Sequence, residues 1–250
     1  MSESKRDYRP ADKALAGRVI LLTGAGGGIG RALAVAGARY GATMVLLGRT
    51  VEKLEATYDA VQETGGPRPT ILPFDLEKAT VDEYHAIVAA IEKEFGRLDG
   101  LVHNAALLGR RTPLEQYDPM LWQQVMTVNV TAELILTQAC LPLLKEAEDA
   151  SIIFTSSGVG RQPRAYWGAY AISKAANEAM MQVLADELEN HGKLRVNSIN
   201  PGATRTEMRK EAFPAEDPKT LLTPEEIVGS YLYLLGPDSR GVSGRQLDAQ

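Results

Sequence analysis

The sequence is most restrictive in what it has little of. Its single cysteine, Cys140, cannot form an intrachain disulfide, which excludes the small proteins held together by a disulfide framework. Its three histidines, His85, His103 and His191, have no metal-ligand spacing, so we expect no metal site. The net charge of −5 gives no electrostatic reason to expect nucleic acid as a partner.

Long apolar runs and targeting segments are also missing. No window approaches the roughly 18 uninterrupted apolar residues that are typical of a transmembrane helix. The first residues, Met1–Asp7, lack the apolar stretch of a signal peptide. We therefore expect a soluble, cytoplasmic protein that has no membrane partner.

The composition is that of an ordinary globular protein, with 44% hydrophobic and 24% charged residues, and the length suits one large domain. Short apolar runs that are typical of buried parallel strands alternate with helical patterns. We expect strands at residues 18–23, 43–47, 70–74, 98–103, 151–156, 194–199 and 244–247, and helices at residues 29–40, 51–63, 81–95, 119–145, 168–191 and 224–235. This alternation predicts an α/β fold, a single doubly wound Rossmann-type domain whose mostly parallel seven-stranded sheet is flanked by helices.

Two segments stand outside this alternation. Residues 1–16 are polar and are interpreted as an N-terminal arm, which leaves residues 17–250 as the domain that contains the functional site. Residues 205–223 are rich in charge, proline and threonine. Such an insertion is either a lid over a site or a plain surface excursion.

A glycine-rich turn, Thr23–Gly30, follows the first predicted strand and opens the first predicted helix. Glycine is needed where the backbone turns tightly and where a pyrophosphate must approach main-chain N–H groups. The N-terminus of the helix then offers a partial positive charge to the phosphate. In this strand–turn–helix context, the turn favours a dinucleotide site over a purely structural role.

The ends of the next three strands carry further candidate cofactor contacts. The second strand ends at Arg49 without the carboxylate that would bind the ribose of NAD, and an arginine there can pair with a 2′-phosphate. This favours NADP and makes NAD less suitable, although Arg49 could also be a solvated loop residue of an enzyme that accepts both. Asp75 and Leu76 end the third strand, and Asn104 and Ala105 end the fourth.

Ser157, Tyr170 and Lys174 form the candidate catalytic group. Tyr170 and Lys174 are spaced to lie on one face of a predicted helix, and Ser157 follows a buried strand. A free phenol has a pKa of about 10, too high for an efficient base near neutral pH, and a neighbouring ammonium would lower that pKa. The serine hydroxyl can hold a substrate oxygen on which charge develops.

From about residue 15 to residue 247, the chain resembles the short-chain dehydrogenase/reductase family. The residues that carry the resemblance, in family order and spacing, are Thr23, Gly27, Gly28, Ile29, Gly30, Asn104, Ala105, Asn129, Ser157, Tyr170, Lys174, Pro201 and Gly202. More narrowly, residues 155–164, 166–170, 180–187 and 247–250 look like the YciK-like bacterial subgroup.

The resemblance implies a role for each of these residues. Tyr170 would be the general acid/base, Lys174 would lower its pKa and bind the nicotinamide ribose, and Ser157 would position the carbonyl. Asn129 would hold a water in a proton relay through Lys174, and a homodimer or homotetramer is expected. The full set of expected cofactor contacts is Thr23, Gly24, Gly26, Gly28, Ile29, Gly30, Arg49, Asp75, Leu76, Asn104, Ala105, Tyr170, Lys174, Pro201, Gly202, Thr204 and Thr206.

The leading hypothesis is an NADP-dependent oxidoreductase acting on a small-molecule carbonyl or alcohol. Two alternatives stay open, namely a lyase or epimerase on the same fold and a nucleotide-binding sensor or scaffold without turnover. An enoyl reductase is disfavoured, because that branch resembles a wider tyrosine–lysine spacing. Four arginines, Arg110, Arg111, Arg161 and Arg164, either recognise a carboxylate or phosphate on the substrate or are solvated loop charges.

Overall fold

The strands of the chain form one parallel sheet. The structure, a computed structural model, describes residues 5–250, so residues 1–4 of the predicted arm lie outside the described residues. The strands are β1 (Val19–Thr23), β2 (Thr43–Gly48), β3 (Thr70–Pro73), β4 (Gly100–His103), β5 (Ala150–Thr155), β6 (Leu194–Asn200) and β7 (Gln246–Asp248). Within residues 5–250 they are ordered β3-β2-β1-β4-β5-β6-β7, with every neighbouring pair parallel. The predicted doubly wound Rossmann-type fold is confirmed, and strand order reverses between β1 and β4.

Helices cover both faces of this sheet. They are α1 (Gly28–Arg39), α2 (Val51–Gln62), α3 (Val81–Phe95), α4 (Pro119–Met126), α5 (Ala132–Glu146), α6 (Gly158–Arg161), α7 (Gly168–Glu187), α8 (Glu207–Ala212) and α9 (Pro224–Leu235). Buried residues of α3, α5 and α7 share one core cluster with the sheet, whereas α1, α2 and α9 share another. Both faces of the strands are therefore buried, which explains their nearly continuous apolar sequences.

The ends of α3 show how local sequence sets a helix boundary. Thr80 N donates to Glu83 Oε2 at 2.7 Å, and Thr80 Oγ1 accepts from Glu83 N at 3.4 Å, so the two residues form a capping box. The helix ends at Gly96, whose φ of 68° is left-handed and disfavours residues other than glycine.

Several predicted boundaries were wrong for local reasons. The helix expected at residues 119–145 is interrupted by a π-helical turn, Thr127–Thr131, between α4 and α5. The strand expected at residues 244–247 begins later, because Gly244 has a left-handed φ of 69° that does not belong in a strand. The short helices α6 and α8 were not predicted, since four and six residues are too few to show a helical period.

The segment Pro119–Glu146 has the length and composition of a membrane-spanning helix, with a mean hydropathy of 1.3 over its most apolar window. However, 56% of that window is buried inside the protein. Leu136, Cys140, Leu143 and Leu144 lie in the core cluster beside the sheet. A core helix passes the same test of length and composition, so this segment is weak support for a membrane span.

Residues 5–16, the described part of the predicted arm, contact α9 and the loop that follows it. The Tyr8 ring lies edge-on to the Tyr233 ring at 5.3 Å between centroids, and Tyr8 Oη donates to Asp238 Oδ2 at 2.7 Å. Leu15 is fully buried in the cluster of α1 and α9. The division into an arm and a domain at residue 17 stays a prediction.

A buried carboxylate, Asp149, joins distant parts of the sheet at the edge opposite the carboxyl ends of the strands. It accepts hydrogen bonds from Arg18 Nη2 at 2.5 Å, from Arg195 and from Arg240 Nε at 3.1 Å. Burial raises the pKa of Asp149, but the hydrogen bonds and charges of Arg195 and Arg18 outweigh burial and hold the pKa below its usual value. Asp149 therefore favours the folded state as an anion.

Replacement of Asp149→Asn is expected to lower the free energy of unfolding by about 3 kcal/mol near pH 7, because it leaves buried guanidinium groups without their counter-charge. Guanidinium chloride denaturation measures this loss. Because the folded pKa is depressed, the contribution of Asp149 is present above its unfolded pKa and is lost as pH falls through the folded pKa, so the difference should shrink in acid. Glu148→Gln, at a neighbouring side chain that is 84% exposed, is the matched control and should change little. A loss no greater than the control's would show that Asp149 contributes nothing.

Candidate functional site

The candidate site is a cleft at the carboxyl ends of β1 and β4, where strand order reverses. It encloses about 510 Å³. Ser157 and all the expected cofactor contacts line it, except Thr23 and Gly30; Asn129 does not line it either. Ligands of doubly wound sheets bind at such a switch point.

The glycine-rich turn fits tightly against the end of β4. Gly24 has a left-handed φ of 67°, and a Cβ there would lie 2.9 Å from Ala105 Cα. A Cβ on Gly30 would lie 2.2 Å from the Gly24 carbonyl oxygen. The hydroxyl of Thr23 accepts from Asn104 N at 2.9 Å and from Ala105 N at 3.0 Å. The glycines thus allow close backbone packing, and Thr23 ties the ends of the two strands together.

The rim of the cleft beside β2 is basic. Arg49 is exposed and lines the cleft with Lys53, a residue of α2 that the sequence analysis missed. A Cβ on Gly26 would lie 2.9 Å from Lys53 Cβ, so the turn and α2 are in close contact. Lys53 follows Arg49 by four residues. Two cations so close after the end of a strand could have indicated from the sequence that Lys53 also lines the site. The rim is suited to an anionic group such as a ribose phosphate.

The three predicted catalytic residues meet at the other end of the cleft. Tyr170 and Lys174 lie on α7, and Ser157 follows the end of β5. Burial raises the pKa of Tyr170 to about 12, although a hydrogen bond with Ser157 acts in the opposite direction. The ammonium of Lys174 donates to the Thr155 carbonyl at 2.8 Å. The pKa of Tyr170 therefore lies above its ordinary value, the opposite of the lowering expected from the sequence.

A layer of buried polar groups lies behind Lys174. Lys174 Nζ is 3.9 Å from Glu133 Oε1, and these side chains are 1% and 3% exposed, respectively. Burial raises the pKa of Glu133 and lowers that of Lys174. Burial and the charge of Lys174 lower the pKa of His103 to about 3. The sequence analysis missed Glu133, whose one signal is a charge in the otherwise apolar run 132–136.

Asn129 lies in the π-helical turn between α4 and α5. Its Nδ2 donates to the Leu107 carbonyl at 2.9 Å and to Ser173 Oγ at 3.0 Å, and its Oδ1 accepts from Leu107 N at 2.7 Å. The side chain thus joins the segment after β4 to α7. Single π-helical turns are frequent at functional sites. A role for Asn129 in holding water stays a prediction.

The cleft beside Tyr170 has an apolar wall. Leu108, Tyr170 and Ala212 form a small core cluster with which Trp167, Met208 and Phe213 pack. Met208, Ala212 and Phe213 belong to the segment 205–223. This segment therefore borders the cleft and is not a plain surface excursion.

None of the four arginines singled out in the sequence lines the cleft. Arg161 donates to Glu178 Oε1 at 2.8 Å, to Asp248 Oδ1 at 3.0 Å and to the Leu247 carbonyl at 2.9 Å. This is a structural tie between α6, α7 and β7. Arg110 and Arg164 are exposed loop residues.

No group of three or more histidine, cysteine, aspartate or glutamate side chains in residues 5–250 is placed to hold a metal ion. Cys140 is buried in the core, and burial raises the pKa of its thiol.

Comparison with known proteins agrees with this geometry. Residues 18–217 match the short chain dehydrogenase family. The oxidoreductase YciK of Escherichia coli K12 is 51% identical over 243 residues, which cover 97% of this chain and 96% of YciK. A short chain dehydrogenase structure from Pseudomonas syringae is 55% identical in sequence and superposes with a TM-score of 0.96. The alignment covers 98% of this chain and 99% of that chain.

A third relative was solved with a nucleotide. The short chain dehydrogenase from Escherichia coli CFT073 complexed with NADPH is 52% identical in sequence and superposes with a TM-score of 0.93. The alignment covers 96% of this chain and 100% of that chain. The preference for NADP over NAD inferred from the sequence agrees with that complex, and the resemblance to YciK-like oxidoreductases is confirmed. The chain belongs to the short-chain dehydrogenase family.

Proposed function

We propose that the protein transfers hydride between NADP(H) and a small-molecule carbonyl or alcohol, with Tyr170 as the general acid/base. The observation that supports this most directly is the shared cleft. One end carries the glycine-rich turn and a basic rim, and the other carries Ser157, Tyr170 and Lys174. A dinucleotide bound along it would reach from the first group to the second.

The residues present fit NADP(H). The turn packs so closely against the end of β4 that Gly24 and Gly30 have no room for side chains, and Arg49 with Lys53 offers two cations to a 2′-phosphate. Pro201, Gly202 and Thr204, which would contact the nicotinamide, line the same cleft. When bound, NADPH supplies the hydride.

Each catalytic side chain then has a definite task. With a pKa of about 12, Tyr170 is protonated at neutral pH and can give its proton to the oxygen of a reduced carbonyl. Ser157 donates a hydrogen bond to that oxygen, and the Lys174 ammonium stabilises the phenolate that remains. The protonated form of Tyr170 is the form that reduction of a carbonyl requires, and its phenolate is the form that oxidation of an alcohol requires.

The alternatives make different predictions for the same groups. A sensor or scaffold needs the cofactor end of the cleft but not a tyrosine that transfers protons, and a lyase or epimerase would show no net oxidation of NADPH. Assembly as a homodimer or homotetramer and location in the cytoplasm stay predictions.

Tyr170→Phe removes only the phenol hydroxyl, so NADPH should still bind while turnover falls by a factor of about 10² or more. NADPH binding is measured by fluorescence titration, and turnover by NADPH oxidation with a panel of ketones and aldehydes. Tyr166→Phe, at a side chain that is 57% exposed, is the control and should keep wild-type turnover. Turnover unchanged by Tyr170→Phe would remove the tyrosine from the mechanism.

Arg49→Ala should weaken NADPH binding by about tenfold or more and leave NADH binding nearly unchanged, because only NADPH carries the 2′-phosphate. Parallel fluorescence titrations with the two nucleotides measure the effect. Arg68→Ala is the control, since Arg68 Nε donates to Tyr58 Oη at 2.7 Å and does not line the cleft. An equal loss for both nucleotides would contradict the phosphate role.

A further inference from the structure

We propose that the substrate is an uncharged carbonyl or alcohol with an apolar, ring-sized group beside the reacting carbon. This inference rests on the proposed function and names the substrate class of the same cleft. It depends on two features of the end that carries Tyr170, the apolar wall and the engagement of the cations around it.

The wall is built from side chains that favour an apolar ligand. Trp167, Met208, Ala212 and Leu108 line the cleft together with Tyr170. The Trp167 ring lies 5.9 Å from the Tyr170 ring between centroids and is tilted by 42°. A flat or cyclic group placed against these side chains would lose water-exposed apolar area, at about 25 cal/mol per Å².

The cations around this wall are already engaged. Arg111 Nη1 donates to the Ala212 carbonyl at 2.5 Å, and its guanidinium lies 4.9 Å from the Trp167 ring and 4.6 Å from the Phe213 ring. Arg209 forms two hydrogen bonds of 2.6 Å with Glu216. The charge of Arg209 is thus already compensated by a carboxylate, and Arg111 does not line the cleft.

The remaining charges of the lining point to the same conclusion. Among the described residues, the other cations that line the cleft are Arg49 and Lys53 at the far rim and Lys174, whose ammonium donates to Thr155. Glu207, next to Met208, adds a negative charge to the lining. An anionic substrate group would therefore be desolvated without a counter-charge.

A fluorescence titration of the wall tests the proposal without knowledge of the natural substrate. The chain has two tryptophans, so Trp122→Phe leaves Trp167 as the single reporter. The NADP⁺ complex of this variant is titrated with cyclohexanol, with benzyl alcohol and with the carboxylate-bearing analogue of each. We expect the uncharged alcohols to change Trp167 emission and to bind about tenfold or more tightly than their carboxylated analogues.

The possible results of that titration distinguish an error in the substrate class from an error in the proposed function. Equal or tighter binding of the carboxylated analogues would overturn the substrate class, and so would the absence of any response while NADP⁺ is bound. Failure to bind NADP⁺ at all would instead refute the proposed function.

A charge introduced into the wall gives an independent test. Met208→Lys should reverse the order, so that the carboxylated analogue binds the NADP⁺ complex more tightly than its parent alcohol, because a cation now faces the substrate. Val183→Lys, at an α7 side chain that is 58% exposed and does not line the cleft, is the matched control and should keep the wild-type order. An unreversed order in Met208→Lys would show that substrates do not contact this wall.

A different observation carries a second inference, which concerns the buried carboxyl behind Lys174. We infer that Glu133 is a positioning residue for Lys174. Its carboxylate stabilises the charged form of the buried ammonium and thereby sets the pH range in which Tyr170 works. Glu133 does not line the cleft and touches no reacting atom, so it would act through the lysine.

The geometry leaves Glu133 with one close cationic partner. Lys174 Nζ lies 3.9 Å from Glu133 Oε1, and both side chains are almost fully buried. Within residues 5–250, neither carboxyl oxygen of Glu133 meets the geometry of a hydrogen bond, and the amide of Asn177 on α7, which acts to lower the pKa of Glu133, does not meet it either. A carboxyl in this position is costly as an anion unless the ammonium compensates it.

The other titratable groups around this pair are accounted for. Glu178 on α7 also acts on Lys174, but it is paired with Arg161 at 2.8 Å and accepts from Ser198. His103 on β4 is neutral at physiological pH, because burial and the charge of Lys174 depress its pKa. Glu133 therefore remains as the group whose charge matches that of the lysine.

Glu133→Gln keeps the shape and removes the charge. Because an anion raises the pKa of every neighbouring group, its loss should lower the pKa of Tyr170, so the acid limb of the pH profile of alcohol oxidation should move to lower pH by about one unit. Glu133→Asp, which keeps the charge, should restore the limb, and Glu148→Gln should leave it in place. A fall in kcat with the limb unmoved would show a merely structural role and overturn the inference.

A second readout needs no substrate. The side-chain resonances of Lys174, identified by their loss in Lys174→Met, are titrated by NMR in wild type and in Glu133→Gln. We expect the lysine to lose its proton at lower pH in the variant. An unchanged titration would overturn the role of Glu133 even if the proposed oxidoreductase activity holds.

Discussion

The hydroxyl of Thr23 holds together the two strand ends between which the site is built. It accepts the backbone N–H groups of Asn104 and Ala105 and thus fixes the end of β4 against the end of β1. These strands lie at the reversal of strand order, where helices leave toward opposite faces and a cleft must open. The close approach also explains the glycines, because a side chain on Gly24 or Gly30 would push the two ends apart.

Catalytic chemistry requires polar groups in the part of the sheet that is otherwise most apolar. Lys174 is buried with its ammonium on a carbonyl of β5, and Tyr170, Glu133 and His103 are buried around it. Burial raises the pKa of the acids and lowers that of the bases, whereas the mutual attraction of Lys174 and Glu133 acts in the opposite direction and favours the charged forms of these two groups. Burial of these polar groups costs free energy, and the apolar residues buried in the two clusters on either side of the sheet offset that cost.

The sequence predicted the sheet and the cofactor end of the cleft well, because both depend on local signals. Apolar runs mark the strands, and the glycine-rich turn marks the point where the chain leaves β1 for α1, so the placement of Gly24 and Arg49 beside the cleft could be predicted. The rise in the pKa of Tyr170 could not be predicted from the sequence, because the burial that causes it depends on packing by residues far away in the chain.

Other residues of the site are invisible to local patterns. Glu133 meets Lys174 only through the packing of α5 against α7, and Arg161 finds Asp248 only once β7 has joined the sheet. The short helix α8 gives no periodic signal, so the apolar wall that it contributes could not be read from the sequence.

The guanidinium of Arg111 links three stretches of the chain that are far apart in sequence, namely its own loop, the loop of Trp167 and the segment of Ala212 and Phe213. Displacement of Arg111 would break one hydrogen bond and two ring contacts, so this one side chain connects its own loop to the other two stretches. The apolar wall beside Tyr170 is therefore one connected unit, in which a substitution of Arg111 would be felt by Trp167 and Phe213 together.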